Sequence, residues 1–358
     1  MLKKFILSVV TFISILAVLG YWFVRMFSDE LSVDYSNQQA HDLAYIQQSL
    51  PTQRGKILAI VTNTKTMGPQ QKQAGYELTE LSRAYYVFKV NGFEVDIASP
   101  LGGEPPMVRD DDDMGAFDFA FLNDPAAMAK VKNTLSVSQV DAADYQAVYF
   151  VGGKGTMFDF PNNQDIQRLV RQFWIEDKVV SAVCHGPAAL INVKLDNDLY
   201  LLENKHVAAF TNEEELLFIP EAEAIFPYLL QTKLEDMGAK FEAGPMYLNN
   251  VVVDGKLITG QNPWSVWELS EQIIVSLGYT PVARAKTAEE NSVTILKTFK
   301  TKGYDMAMAQ LLEMQFQYNA PINKTLIATH AFLALLSFDL KQLVGLISLL
   351  STSNLTAE

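Results

Sequence analysis

The chain has one cysteine and four histidines in 358 residues. A single thiol excludes an intrachain disulfide, and no cluster of His, Cys and acidic residues has zinc-ligand spacing, so neither a metal nor another cofactor is expected. Positive charge is also scarce. Against 41 Asp and Glu stand 28 Lys and Arg, for a net charge of −13, and such a surface repels a phosphate backbone, which excludes nucleic acid as the expected partner. Internal repeats are missing. The four aspartates 110–113 lack the alternating ligands and glycine of a calcium loop and read as a solvated loop. The glycines 152, 153 and 155 match neither a P-loop nor a dinucleotide fingerprint.

With 49% hydrophobic residues, the chain has enough apolar surface for a sizeable core. Residues 5–24 are uncharged and mostly apolar, about 30 Å as a helix, which is the thickness of a bilayer core. Lys3 and Lys4 precede this run, and Arg25, Asp29 and Glu30 follow it. This predicts an uncleaved single-pass anchor over 1–27, with the rest of the chain in the periplasm of a Gram-negative cell; a cleaved signal peptide is the competing reading. Residues 28–54 read as a polar tether and 55–284 as the main domain. Residues 285–358 read as a helical extension, whose last apolar stretch is cut by Asp339 and Lys341 and is too short for a second span.

In the main domain, β-branched runs at 56–62, 93–98, 146–151 and 179–183 read as strands, and 78–90, with Leu78, Leu81, Tyr85 and Phe88 on one face, as a helix. This order predicts an α/β fold with a mostly parallel sheet. Further strands are expected at 207–210 and in an Asp254-Gly255 hairpin over 250–259. Helices are expected at 166–174, 222–237 and 265–277.

The chain is organised around 179–189, Val-Val-Ser-Ala-Val-Cys-His-Gly-Pro-Ala-Ala. A buried strand ends here, Gly186 and Pro187 stop it, and helical residues resume. Cys184 and His185 therefore fall at a strand-to-helix turn, where open α/β sheets place their chemistry. A following helix dipole would favour the thiolate. On local grounds alone, a reactive thiol and an inert buried one are equally compatible with this setting.

Five stretches together carry a resemblance: Ala-Val-Cys-His-Gly-Pro-Ala-Ala (182–189), Phe-Glu-Val-Asp-Ile-Ala-Ser-Pro-Leu-Gly-Gly (93–103), Val-Gly-Gly-Lys-Gly-Thr-Met-Phe-Asp (151–159), Ala-Phe-Thr-Asn-Glu-Glu-Glu (209–215) and Ile-Thr-Gly-Gln-Asn-Pro (258–263). Over about 55–280 the sequence resembles the ThiJ/PfpI superfamily, also called type 1 glutamine amidotransferase-like, and within it the glyoxalase III-type chaperones. The resemblance implies a flavodoxin-like three-layer sandwich. It also implies Cys184 as nucleophile, His185 and Glu215 as its triad partners with Glu214 as fallback, and Glu80 as a buried carboxyl against the sulfur. An oxyanion and substrate site is implied at Gly152, Gly153 and Lys154, where the N–H of Gly153 would act with that of Cys184 at the elbow.

The activity so implied is conversion of small reactive carbonyls, methylglyoxal to lactate or a deglycase reaction. The rivals are a cysteine hydrolase or amidase and a membrane-tethered chaperone or oxidative-stress sensor. The expected partners are a small carbonyl substrate and the membrane, with a homodimer as the candidate assembly. Three departures from the pattern bear on substrate preference: Lys154 where histidine is frequent, Arg83-Ala84 where His-Pro is frequent, and Met107 where aspartate is frequent.

Overall fold

The computed structural model describes residues 20, 21, 23–26, 28, 33–109, 113–196 and 198–355. Contacts divide the chain into two compact units, 35–285 and a second formed by 286–358 with 1–34.

The larger unit is built on a seven-stranded sheet. Its strands are β1 (Lys56–Ile60), β2 (Glu94–Ser99), β3 (Leu135–Ser136), β4 (Ala147–Phe150), β5 (Val179–Val183), β6 (Val251–Asp254) and β7 (Leu257–Gly260), in the spatial order β6-β7-β5-β4-β1-β2-β3. All neighbours are parallel except β6 and β7, the expected Asp-Gly hairpin. Side chains alternate across the central strands. Leu58, Ile60, Val148, Phe150, Val180 and Ala182 enter one core, with Leu169 and Phe173; Ile57, Ala59, Ala147, Tyr149, Val179 and Val183 enter the other. A strand buried on both faces is a continuous apolar run, which is why β1, β4 and β5 are legible in the sequence.

Helix α1 (Leu78–Val90) has the predicted bounds and packs with α6 (Val266–Ser276) on the second face. Helices α2 (Ala116–Leu122) and α3 (Pro125–Lys132) lie between β2 and β3 in the chain, and α4 (Gln164–Ile175) covers the first face.

Several expectations are corrected. The strand expected at 207–210 is a two-residue pairing of His206–Val207 with Lys240–Phe241, because Ala208 N–H turns to Thr259 Oγ1 and Phe210 N–H to Cys184 O instead of a ladder. The single helix expected over 222–237 is broken at Phe226-Pro227 into Ala222–Ile225 and Leu230–Asp236, since proline lacks the helical donor. Residues 35–54, expected as a tether, place Tyr45 in the second core, where its hydroxyl accepts from Asn91 Nδ2, and Leu50 N–H bonds Val90 O.

The expected membrane anchor, and the periplasmic placement drawn from it, are corrected as well. Among the described residues no helix is long and apolar enough to cross a membrane. Most of 5–24 lies outside those residues, as do aspartates 110–112.

In the smaller unit the described helices include Ala288–Lys302, Tyr304–Leu312, Lys324–Leu336 and Leu340–Thr352. The last two are 13 residues each, about 20 Å and shorter than a bilayer core.

Candidate active site

Cys184 follows β5 directly and has φ +58°, a conformation that costs a non-glycine residue about 1–3 kcal/mol and clusters at functional sites. Its backbone holds the turn from both sides: Cys184 N–H donates to Gly260 O at 2.9 Å, and Phe210 N–H to Cys184 O at 3.0 Å. The side chain is 3% exposed.

The residue after the elbow carries the imidazole. His185 Nδ1 lies 3.3 Å from Cys184 Sγ, and Nε2 lies 2.5 Å from Glu215 Oε2. With Nε2–H donating to the carboxylate, Nδ1 presents its lone pair to the sulfur. Thr156 Oγ1 donates to His185 O at 2.9 Å. The ring is held between Phe210, at 4.7 Å between centroids, and Phe226, at 6.2 Å.

The three consecutive glutamates separate cleanly. They begin α5 (Asn212–Phe218), whose Thr211 cap forms a reciprocal capping box with Glu214. Glu214 accepts from Thr211 N–H and Oγ1–H, Tyr247 N–H, Gln261 Nε2 and Asn262 Nδ2, so it ties α5 to the loop after β7. Glu215, one residue on, turns to His185.

Glu80 sits on the first turn of α1, fully buried. Gly152 N–H donates to its Oε2 at 2.7 Å and Tyr149 O–H to its backbone carbonyl at 2.9 Å, and its Oε2 lies with Cys184 Cβ against Gly152. Burial pushes the Glu80 carboxyl well above the usual range, and the neighbouring Glu77 adds to the shift. Burial, followed by the charges of Glu80 and Glu77, likewise pushes the Cys184 thiol up. This corrects the expectation of a helix-stabilised thiolate. The segment after the elbow, Gly186–Leu190, is only a short 3₁₀ turn, too short to build a macrodipole that offsets burial beside carboxylates.

The glycine loop explains its own composition. A Cβ on Gly152 would lie 2.5 Å from Glu80 Oε2 and 2.8 Å from Cys184 Cβ; one on Gly153, whose φ is +109°, would lie 2.3 Å from Gly75 O. No side chain fits at either position. The expected oxyanion donors are corrected in part. Cys184 N–H is taken by Gly260 O and Gly152 N–H by Glu80, whereas Gly153 N–H and His185 N–H have no acceptor among the described residues. Lys154 is half-buried and joins none of Cys184, His185, Glu80 or Glu215 by a hydrogen bond or ion pair among those residues. No group of three or more metal-ligating side chains is found among them either.

Sequence reasoning missed Glu77, Thr156, the two phenylalanines around His185 and the hub role of Glu214. Only the last had a readable signal, the Thr-x-x-Glu capping spacing from Thr211 to Glu214.

Comparison with known proteins gives a consistent result. The DJ-1/PfpI family model matches residues 72–276. A glutathione-independent glyoxalase of Schizosaccharomyces pombe is 31% identical over 219 residues, covering 58% of this chain and 91% of that protein. Glyoxalase 3 of Candida albicans is 30% identical over 235 residues, covering 62% and 97%. Among solved structures, the Rapid Encystment Protein 24 KDa of Francisella tularensis aligns with a TM-score of 0.59 at 34% identity, over 62% of this chain and 99% of that one. Glyoxalase III of Candida albicans aligns with a TM-score of 0.56 at 26% identity, over 62% and 97%. The match to the family model and the parallel sheet with its elbow agree: the chain belongs to the DJ-1/PfpI family.

Proposed function

We propose that the chain is a glutathione-independent glyoxalase, converting small 2-oxoaldehydes such as methylglyoxal to 2-hydroxy acids through Cys184. The observation that carries this reading is the chain of contacts from Cys184 Sγ through His185 to Glu215, with the buried Glu80 carboxyl and Cys184 both lying against Gly152; the names of the relatives support it.

The chemistry follows from the protonation directions. Cys184 and Glu80 both hold protons more tightly than usual, and the reactive form is the one in which the pair carries a single proton between sulfur and carboxyl. With Glu80 as carboxylate, the thiol proton passes to it while sulfur attacks the aldehyde carbon, and Glu80 returns that proton to the former aldehyde oxygen to complete a hemithioacetal. Gly153 N–H and His185 N–H hold the oxygen as its charge develops; one such donor is worth about 2.7 to 4 kcal/mol.

Nδ1 of His185 then removes the C1 hydrogen, giving an enediol, and delivers it to C2. Glu80 carries the hydroxyl proton from the first oxygen to the second. The product is a thioester, which water cleaves to release lactate and restore the thiol. Methylglyoxal and one water are consumed, and no external oxidant or reductant is needed.

The full chain incubated with methylglyoxal should form lactate, and Cys184→Ala should abolish it. No lactate, or equal lactate from the variant, overturns the reading in favour of the chaperone, sensor or hydrolase alternatives.

A further inference from the structure

Glu77 was not singled out in the sequence, and the reaction above does not use it. It is the N-cap residue of α1, with no side-chain cap hydrogen bond. It precedes Glu80 by three residues, at the extended position that opens the first turn. Its backbone N–H donates to Gly152 O at 3.3 Å, and a Cβ on Gly153 would stand 2.9 Å from that same nitrogen. Residue 77 therefore lies against the glycine loop that adjoins the sulfur. Unlike Glu80 and Cys184, which are buried, Glu77 is half-buried and reaches solvent.

Its carboxylate is felt at both reacting groups. After burial, Glu77 is the foremost influence raising the Glu80 carboxyl, and it follows burial and Glu80 in raising the Cys184 thiol. Other charges surround the site. Glu214 adds to the negative field at sulfur, Arg83 opposes it at Glu80, and Lys154 stands half-buried in the glycine loop. A negative charge partly screened by water but close to a desolvated site acts on whatever approaches that site.

We propose that Glu77 is a specificity-determining residue that filters carbonyl substrates by charge, admitting uncharged or cationic compounds to Cys184 and rejecting those bearing a carboxylate or phosphate. The inference rests on the reading of Cys184 as the group that meets small carbonyls. It narrows that substrate class.

Because Cys184 is the only cysteine, alkylation of the full chain reports on this site alone. Neutral iodoacetamide and anionic iodoacetate have similar bulk and both react with the thiolate, so their rate ratio at one pH cancels any change in thiol pKa. Relative to a small model thiol, the native chain should favour iodoacetamide by about tenfold more. Glu77→Gln should bring the ratio to within about twofold of the model thiol, Glu77→Asp should keep the native preference, and Glu77→Lys should reverse it. Glu176→Gln, exposed before the far end of β5, should leave the ratio alone.

A native ratio equal to that of the model thiol overturns the proposal. So does a native preference that survives in folded Glu77→Gln and Glu77→Lys. Lactate formation is measured on the same preparations. Charge discrimination without lactate would keep the assignment of Glu77 and sink the glyoxalase reading; lactate without discrimination would do the opposite.

Discussion

Helices α1 and α5 each begin beside the elbow, and each carries a buried glutamate at the third helical position, Glu80 and Glu214. The environments differ completely. Glu214 has a threonine cap with which to close a capping box, and it collects five donors from three segments. The backbone N–H of the Glu77 cap donates to Gly152 O instead, so the Glu80 carboxyl is not drawn back to the helix end. It takes one backbone N–H and faces a thiol. A well-donated carboxylate is a fixed part, whereas a poorly donated one in a dry site holds its proton more tightly and has somewhere to send it. The same residue at the same helical position is structural in one place and a candidate proton carrier in the other. The neighbours decide which.

Substitutions test that contrast. The largest effect should come from Glu80→Gln, which should cut methylglyoxal turnover by about 10²- to 10⁴-fold while leaving the fold intact. The sign of its stability effect is also set. Burial and Glu77 raise the folded carboxyl above its ordinary 4.5, so the native chain binds this proton more tightly than the unfolded one. The resulting stability is complete below that value and is lost as pH rises through the raised pKa. Glu80→Gln should therefore gain stability relative to the native chain between pH 5 and pH 8 in thermal melts; a gap that stays flat or shrinks would contradict the assignment.

Next in size, Glu214→Ala strands several buried donors and should cost about 3 to 5 kcal/mol in denaturant unfolding. The chain that remains folded should still bind and turn over substrate. Loss of turnover with unchanged stability would exchange the roles of the two glutamates. The smallest effect belongs to Thr211→Ala, which removes the α5 cap and should cost about 1 kcal/mol, with turnover unchanged because the contact of Glu215 with His185 does not pass through that hydroxyl.

These cases also show what the amino-acid order reveals. Strands β1, β4 and β5 and the hairpin of β6 and β7 were legible because burial on both faces writes continuous β-branched runs and because Asp254-Gly255 admits few turns. Helix α1 was legible to the residue because Leu78, Leu81, Tyr85 and Phe88 repeat at helical spacing. Most of the candidate site was legible only through five motifs read together, with Glu80 read from Gly-Tyr-Glu-Leu-Thr-Glu-Leu at 75–81. Glu77 and Phe226 lie outside all five, and their roles arise from which segments the sheet brings side by side. The membrane expectation rests on an apolar run that lies mostly outside the described residues, among which no helix is long and apolar enough to cross a membrane.

The clamp on His185 has a consequence in time. An exposed aromatic or imidazole ring turns over within nanoseconds. Here a half-turn would exchange both ring nitrogens for carbons, severing the link to sulfur and the link to Glu215 together, while pressing against Phe210 and Phe226. The imidazole is thereby kept in one orientation between turnovers, and each incoming substrate meets the same nitrogen without waiting for a rotation.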